Sequence, residues 1–315
     1  MIERPDVDAL MAGELGQWLQ GQAQVREEAR RKSNARFVKA AVVFIPLAIG
    51  VFSLGWTGQF ALFLLGIVGI GLGIWAYNPR GEAIKQTKEG INMALAAALG
   101  LSFSGTTGAG AGFLRAKTFR MLPGYTRESF EDLWSGQVAG RAFTLHEAHL
   151  EQRRQSGKNS HYVTVFRGPI MTIAAGRRFN GVTLVERSGR HKRFGFFGEK
   201  EELEAGGVQL ARVDMVNPIF EDEFTVYSND QVEARYLVHP TYVEKLIALE
   251  GAFAGQKIRT LFAEGELTVV LEATNMFESG SMDARRDREL VEQCVTQFMS
   301  MAELAGALNE ERGQR

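Results

Sequence analysis

A chain of 315 residues with 36 basic and 37 acidic side chains carries a formal net charge of −1 at pH 7. That balance excludes a protein that coats nucleic acid or another polyanion by bulk electrostatics, and the length allows one large domain or two small ones. A single cysteine, Cys294, excludes an intrachain disulfide and a cysteine-rich zinc site; its apolar run, VEQCVTQF, reads as a buried thiol.

In chain order, residues 6–33 place Leu10, Met11, Leu15, Trp18 and Val25 at helical spacing, which predicts an amphipathic helix within a cytosolic segment 1–36. From Ala40 through Pro79 there is no charged side chain and no histidine. A membrane span needs roughly 20 apolar residues, so Phe37–Gly55 and Gln59–Tyr77 read as two passes. They form a transmembrane hairpin over 37–79, turning tightly at Trp56-Thr57-Gly58. A cleaved signal peptide fits poorly, because charged, helix-prone sequence precedes an apolar run twice the usual length.

Arg26, Arg30, Arg31, Lys32, Arg36 and Lys39 precede the first span, and Arg80, Lys85 and Lys88 follow the second. Basic flanks on both sides predict a multi-pass membrane protein with both termini cytoplasmic. Trp56, Trp75 and Tyr77 fall where amphipathic rings favour the interface. In the second span Gly66, Gly69 and Gly73 allow close helix approach. They pack either against the first span or against a second copy of the chain, as a homo-oligomer.

After the spans, residues 80–104 read as a connector helix, with Ile84, Ile91, Leu95 and Leu99 on one face. GTTGAGAG then breaks it. A phosphate-cradling P-loop would need Gly-Lys-Ser/Thr, whereas Gly110 is followed by Ala111 and Gly112.

Residues 105–315 form the expected cytosolic domain. GRAFTLHEAHLE, HYVTVFRGPIMTI, NGVTLVERSG, GVQLARVD and EFTVYS read as strands, with Asn180-Gly181 as a hairpin-turn signal and Ser228-Asn229-Asp230 as a stop. Pro240 opens a helix whose apolar face holds Val243, Leu246 and Ile247. KIRTLFA and LTVVLEA are strands joined by Glu264-Gly265-Glu266. A last helix, from about Asp287 to Asn309, turns Val291, Cys294, Val295, Phe298 and Ala302 inward. The fold class is α+β: a transmembrane helical hairpin, then a mixed domain with antiparallel strands and a C-terminal helix, without the βαβ alternation of a Rossmann fold.

The run FEDEFTVYSNDQVEARYLVHPTYVEKLIAL, preceded by VTVFRGPIMTI and followed by KIRTLFAEGELTVVLEATNMFE, resembles the bacterial two-span membrane proteins catalogued as domain of unknown function 3137. The resemblance extends over about residues 30 to 309. It implies that architecture and brings no reaction, cofactor or catalytic residue with it.

No cofactor and no metal site is expected. His146 and His149 in HEAH are three apart in a strand, which points their rings to opposite faces, whereas a zincin helix sets two histidines four apart on one face. Glu221, Asp222 and Glu223, with Asp230 and Glu233 nearby, offer paired carboxylates but lack EF-hand spacing or a nucleophile, and read as a solvated turn. Ser228 lacks the GxSxG context and reads as the cap of the SNDQ turn.

The sharpest local anomaly is basic. Arg177, Arg178, Arg187, Arg190, Lys192 and Arg193 stand against one acid, Glu186, and Phe194, Phe196 and Phe197 follow. Beside a membrane, Arg187, Arg190, Lys192, Arg193, Phe196 and Phe197 suit contact with anionic headgroups; the alternative is a solvated hairpin tip with its rings folded inward. Two functions follow. One is a non-enzymatic scaffold or adaptor, anchored in the lipid bilayer, that binds a partner protein or the inner-leaflet surface and no nucleic acid. The other is a membrane-tethered hydrolase using carboxylates such as Asp222 and Asp230.

Overall fold

The computed structural model of the chain describes residues 4–55, 58–157, 159–190, 200–215, 218–274 and 276–308. Two compact units emerge: a helical one, Asp6–Ala94 with Ser279–Glu292, and a sheet-based one built on Leu95–Glu278 with the last helix from Gln293 onward.

The helical unit opens with α1, Val7–Ala12, capped by the Asp6 carboxylate, which accepts from the Asp8 and Ala9 amides at 2.9 and 3.3 Å. The chain then doubles back into α2, Glu14–Ser53, past Gly16, where a Cβ would stand 1.8 Å from the Met11 carbonyl oxygen. This helix runs unbroken from the amphipathic segment through the first span. The second span and most of the connector likewise share one helix, α3, Gln59–Ala98. Each is 40 residues long. At 1.5 Å per residue that is about 60 Å, twice the roughly 30 Å hydrocarbon core of a bilayer.

Both helices are long and apolar enough to cross a membrane, and only 6% of each apolar window is buried. Val38, Val42, Ile45, Ile70 and Ile74 are exposed. Trp56 and Thr57 of the expected turn lie outside the described residues. Pro79 sits inside α3. Having no N–H, it leaves the carbonyl one turn back, that of Trp75, without its helical donor. Arg36 of α2 supplies one, its Nη1 donating to the Trp75 oxygen at 3.1 Å while its guanidinium lies 5.2 Å from the indole centre. Further along, Gly90 makes room for Trp18, whose ring would lie 2.0 Å from a Cβ there.

A buried ion pair closes this unit. Arg26 and Asp287, 2% and 4% exposed at their side chains, meet in a fork at 2.7 and 2.6 Å. The same guanidinium donates to the Ser281 carbonyl at 3.1 Å. Ser279 is fixed by Asn92 at 3.0 Å.

The second unit is one antiparallel sheet: β1 Ser102–Thr106, β2 Arg127–Val138, β3 Arg141–Ser156, β4 Asn159–Ala174, β5 Thr183–Arg187, β6 Glu202–Ala205, β7 Val208–Val213, β8 Phe224–Ser228, β9 Gln256–Ala263 and β10 Glu266–Glu272. Their spatial order is β1-β2-β3-β4-β10-β9-β5-β8-β7-β6. Three hairpins turn on two successive residues at positive φ: Ala139-Gly140, Gly206-Gly207 and Glu264-Gly265. Such turns carry the right-handed twist of their strands. Glu266, expected in the last of these turns, instead pairs with Ala174 and Ala263 as the first residue of β10.

Strand alternation sends Ala148, Leu150, Phe166, Ile170, Leu184, Tyr227, Leu261 and Val270 to one face, where α4, Ala111–Thr118, covers them with Phe113, Ala116 and the following Phe119 and Met121. On the other face α7, Pro240–Ala252, and α8, Asp287–Ala307, cover the sheet. There Leu249, Phe253 and Met301 surround Leu145, Met171 and Val269, and the Tyr242 hydroxyl donates to Thr260 at 2.7 Å. Two short helices, α5 Pro218–Glu223 and α6 Gln231–Leu237, flank β8.

Two sequence expectations are corrected. The connector helix ends at Ala98, not 104: Gly100 takes φ +68 just past the helix end, and residues 102–106 become β1. Asn180-Gly181 does not turn a hairpin, because β4 pairs with β3 and β10 while β5 pairs with β8 and β9. Both amides of that dipeptide donate to the Glu233 carboxylate, each at 2.8 Å.

Candidate functional site

The basic segment is held by carboxylates far away in sequence. Arg187, at the end of β5, donates through Nε and Nη2 to Glu250 and through Nη1 to Glu223, and its guanidinium lies 4.3 Å from the Phe224 ring centre. Glu250 is fixed in turn by the Ile258 amide at 3.0 Å. Arg190 faces Glu186 at 2.9 Å and donates to the Arg120 carbonyl at 2.9 Å. Arg259, 6% exposed, reaches the Met121 carbonyl and Glu272. Burial, with the positive Arg190 nearby, pulls its guanidinium down to about 10. Two of the six residues expected to meet headgroups, Arg187 and Arg190, therefore sit in an intramolecular ionic network. Lys192, Arg193, Phe196 and Phe197 lie outside the described residues.

The acidic residues have structural partners. Glu221 accepts from the Met215 amide at 2.7 Å, and Glu223 binds Arg187. Asp230 caps α6, taking the Val232 and Glu233 amides at 3.1 and 2.9 Å. Ser228 accepts from the Asp230 amide at 3.0 Å, the turn-capping role its sequence predicts, and its buried hydroxyl also meets Thr183 at 3.0 Å. Asp222 is exposed on α5.

His146 and His149 part company. His146 is buried on the α4 face, edge-on to Phe130 at 5.7 Å and close beneath Gly110, and burial pushes its imidazole down to about 4. His149, on the opposite face, meets the Thr164 hydroxyl at 2.8 Å. Among the described residues no three His, Cys, Asp or Glu side chains converge as metal ligands. Cys294 is buried.

In the spans, Gly69 packs within the hairpin: a Cβ there would stand 3.2 Å from the Phe44 ring of α2. Gly66 and Gly73 face open space, with nothing within 4 Å of such a Cβ.

The feature sequence reasoning passed over is a ribbon. Beyond Arg127↔Glu151, β3 and β4 pair only with each other, from Gln152↔Val163 to Ser156↔Asn159. Gln152–Gln155 and Asn159–Tyr162 are all exposed. Arg153 bridges the two strands to Ser160 at 3.0 Å, and Arg127 lies 5.7 Å from the Tyr162 ring centre. The signal was present in QRRQSGKNSHY, which has strand-length flanks but no alternating apolar residues to bury.

Two helices of membrane-span length and composition, followed by an antiparallel sheet domain with a C-terminal helix, define an α+β class, and the two helices suggest membrane association. The model of the family described as "Protein of unknown function (DUF3137)" matches residues 164–310, from within β4 to just past the last helix, which bears out the resemblance seen in the sequence over that stretch. No curated protein matches the chain. Among solved structures, the crystal structure of the mycobacterial trehalose monomycolate transport factor A, TtfA, aligns over 69% of this chain and 95% of that one at 11% identity. Its TM-score of 0.32 is too low to bear on fold or function.

Proposed function

We propose that the chain is a membrane-anchored, non-enzymatic adaptor: α2 and α3 cross a bacterial inner membrane as a hairpin, and the sheet domain binds an acidic partner protein in the cytoplasm. The observation that carries this reading is the β3–β4 ribbon. Its side chains are exposed on both faces, Arg153 and Arg154 lie along it, and beyond contacts of Thr126 and Arg127 at its base no strand of the described chain pairs with it. A ribbon of that kind contributes little to its own core, so its length is better explained by contact with another molecule.

The anchoring half rests on the uncovered apolar windows and on the basic flanks, which favour cytoplasmic termini. Contact of residues 187–197 with the inner leaflet belongs to the same reading, but Arg187 and Arg190 can join it only by leaving Glu250, Glu223 and Glu186. The hydrolase alternative gains no support. Asp230 is occupied as a helix cap, and Ser228 is buried and hydrogen-bonded.

Purification of the full-length protein from its native membrane in mild detergent, with mass spectrometry of what accompanies it, tests the proposal. A stoichiometric acidic partner that is lost from Arg153→Glu plus Arg154→Glu supports it. A partnerless particle, or a partner held equally by that variant, overturns it.

A further inference from the structure

Where α2 and α3 leave the charge-free stretch, the helical unit forms an open cavity of about 410 Å³ lined by Arg30, Arg80, Met282, Asp283 and Arg285. Three guanidinium groups there face one carboxylate. The helix period explains the arrangement. Arg26, Arg30, Asn34 and Phe37 follow one another at three- and four-residue steps along one stripe of α2. At the bottom of the stripe Arg26 grips Asp287 and the Ser281 carbonyl, which presses the segment 281–287 against the helix beside Arg30. From α3, Arg80 reaches across to the Asn34 side-chain oxygen at 2.6 Å and lies 6.0 Å from the Phe37 ring centre.

The carboxylate is already engaged. Asp283 caps the 3₁₀ turn Ala284–Arg286, taking the Arg285 amide at 3.1 Å and its guanidinium at 3.1 and 3.2 Å. Those contacts hold it below the usual carboxylate range. Arg30 and Arg80 have no carboxylate among the described residues, and the buried Nε of Arg80 has no hydrogen-bond acceptor there. A buried cationic N–H without an acceptor is costly and asks for an anion.

We infer that this cavity binds a phosphate ester, presented by the headgroup of an acidic phospholipid. The inference rests on the membrane reading above. Arg80 directly follows Pro79, the last residue of the charge-free stretch, and Arg30 stands one helical turn, about 6 Å, beyond the level that Arg80 shares with Asn34. That is headgroup depth, outside the interfacial level of Trp75, whose partner Arg36 lies six residues, about 9 Å, along α2 from Arg30. The Arg30 guanidinium and the free Nε of Arg80 offer cationic donors that suit phosphate oxygens, and the volume falls within the usual range for small-molecule sites.

The test uses the full-length protein in nanodiscs of phosphatidylcholine with graded phosphatidylglycerol, read by native mass spectrometry of lipid retained per chain, with glycerol 3-phosphate as soluble competitor. One phosphatidylglycerol retained per chain, with affinity reduced about tenfold or more in Arg30→Gln plus Arg80→Gln, is the expected result. Displacement by millimolar glycerol 3-phosphate would assign the same phosphate chemistry to a soluble ester instead of a lipid. Equal retention of phosphatidylcholine and phosphatidylglycerol, or retention unchanged in the variant, overturns the inference. A chain that fails to enter the nanodisc sinks the membrane reading itself, and that failure is scored separately by co-elution with the scaffold protein.

Discussion

Removing one partner of the Arg26–Asp287 pair should destabilise the helical unit far more than removing both. Asp287→Ala leaves the Arg26 guanidinium, 2% exposed at its side chain, with only the Gln22 and Ser281 carbonyls as acceptors. Breaking a buried pair in this way costs about 3–5 kcal/mol. Asp287 also sits in the first turn of α8, where loss of a negative charge adds about 0.3–1 kcal/mol. Arg26→Met plus Asp287→Leu removes both charges and their desolvation, so the double variant should recover most of the loss. Urea unfolding of the full-length protein in detergent, with hydrogen exchange of Ser279–Glu292 as the local readout, measures the cycle. A single-variant cost below about 1 kcal/mol, or a double variant as unstable as the sum of the singles, would refute the claim that this pair holds the segment in place.

His146 makes the sheet domain acid-sensitive. Its imidazole titrates near 4 when folded and near 6.5 when unfolded, so the unfolded chain binds the extra proton between those values. Stability is fully present above pH 6.5 and falls by about 3 kcal/mol as pH drops to 4, a slope that His146→Phe should flatten and denaturation across that range would detect. Glu233→Ala strands the Asn180 and Gly181 amides and should cost about 2–4 kcal/mol by chemical denaturation; a loss under 1 kcal/mol would show that water replaces the carboxylate. Gly69→Leu forces its side chain into the Phe44 ring and should lower the melting temperature in detergent by overpacking, about 1–3 kcal/mol, whereas Gly66→Leu should leave it unchanged.

Sequence patterns reveal local periodicity and miss the partners supplied by distant segments. The spans, the long strands and α7 were legible because alternation, helical spacing and Pro240 are local signals. The unbroken length of α2 and α3 was not, because the change in composition resembles a boundary; in α3 Pro79 stands at that boundary, yet the helix continues, with Arg36 satisfying the Trp75 carbonyl that the proline leaves free. Asn180-Gly181 has the chemistry of a hairpin turn, yet its amides are claimed by Glu233, fifty-three and fifty-two positions on. Strands β2 and β6 went unread: Asp132 at φ 56 interrupts the alternation of the first, and the second is four residues long.

The same limit governs the candidate sites. The excess of arginine between 177 and 190 is evident from composition, but Glu223, Glu233 and Glu250, which neutralise it, come from α5, α6 and α7. Arg30 and Arg80 read only as topology signals on the basic flanks, since the loop that joins them into a cavity arrives from residues 282–285.

Topology of the anchor is the most direct test of the account. In a Cys294→Ala background, single cysteines at Leu54, exposed at the end of the first span, and at Gln155, on the ribbon, would be treated with a membrane-impermeant maleimide in right-side-out membrane vesicles. The account predicts labelling of Leu54→Cys in intact vesicles, labelling of Gln155→Cys only after permeabilisation, and retention of both proteins in the membrane after alkaline carbonate. Labelling of Gln155→Cys in intact vesicles, or release of the protein by carbonate, would contradict it.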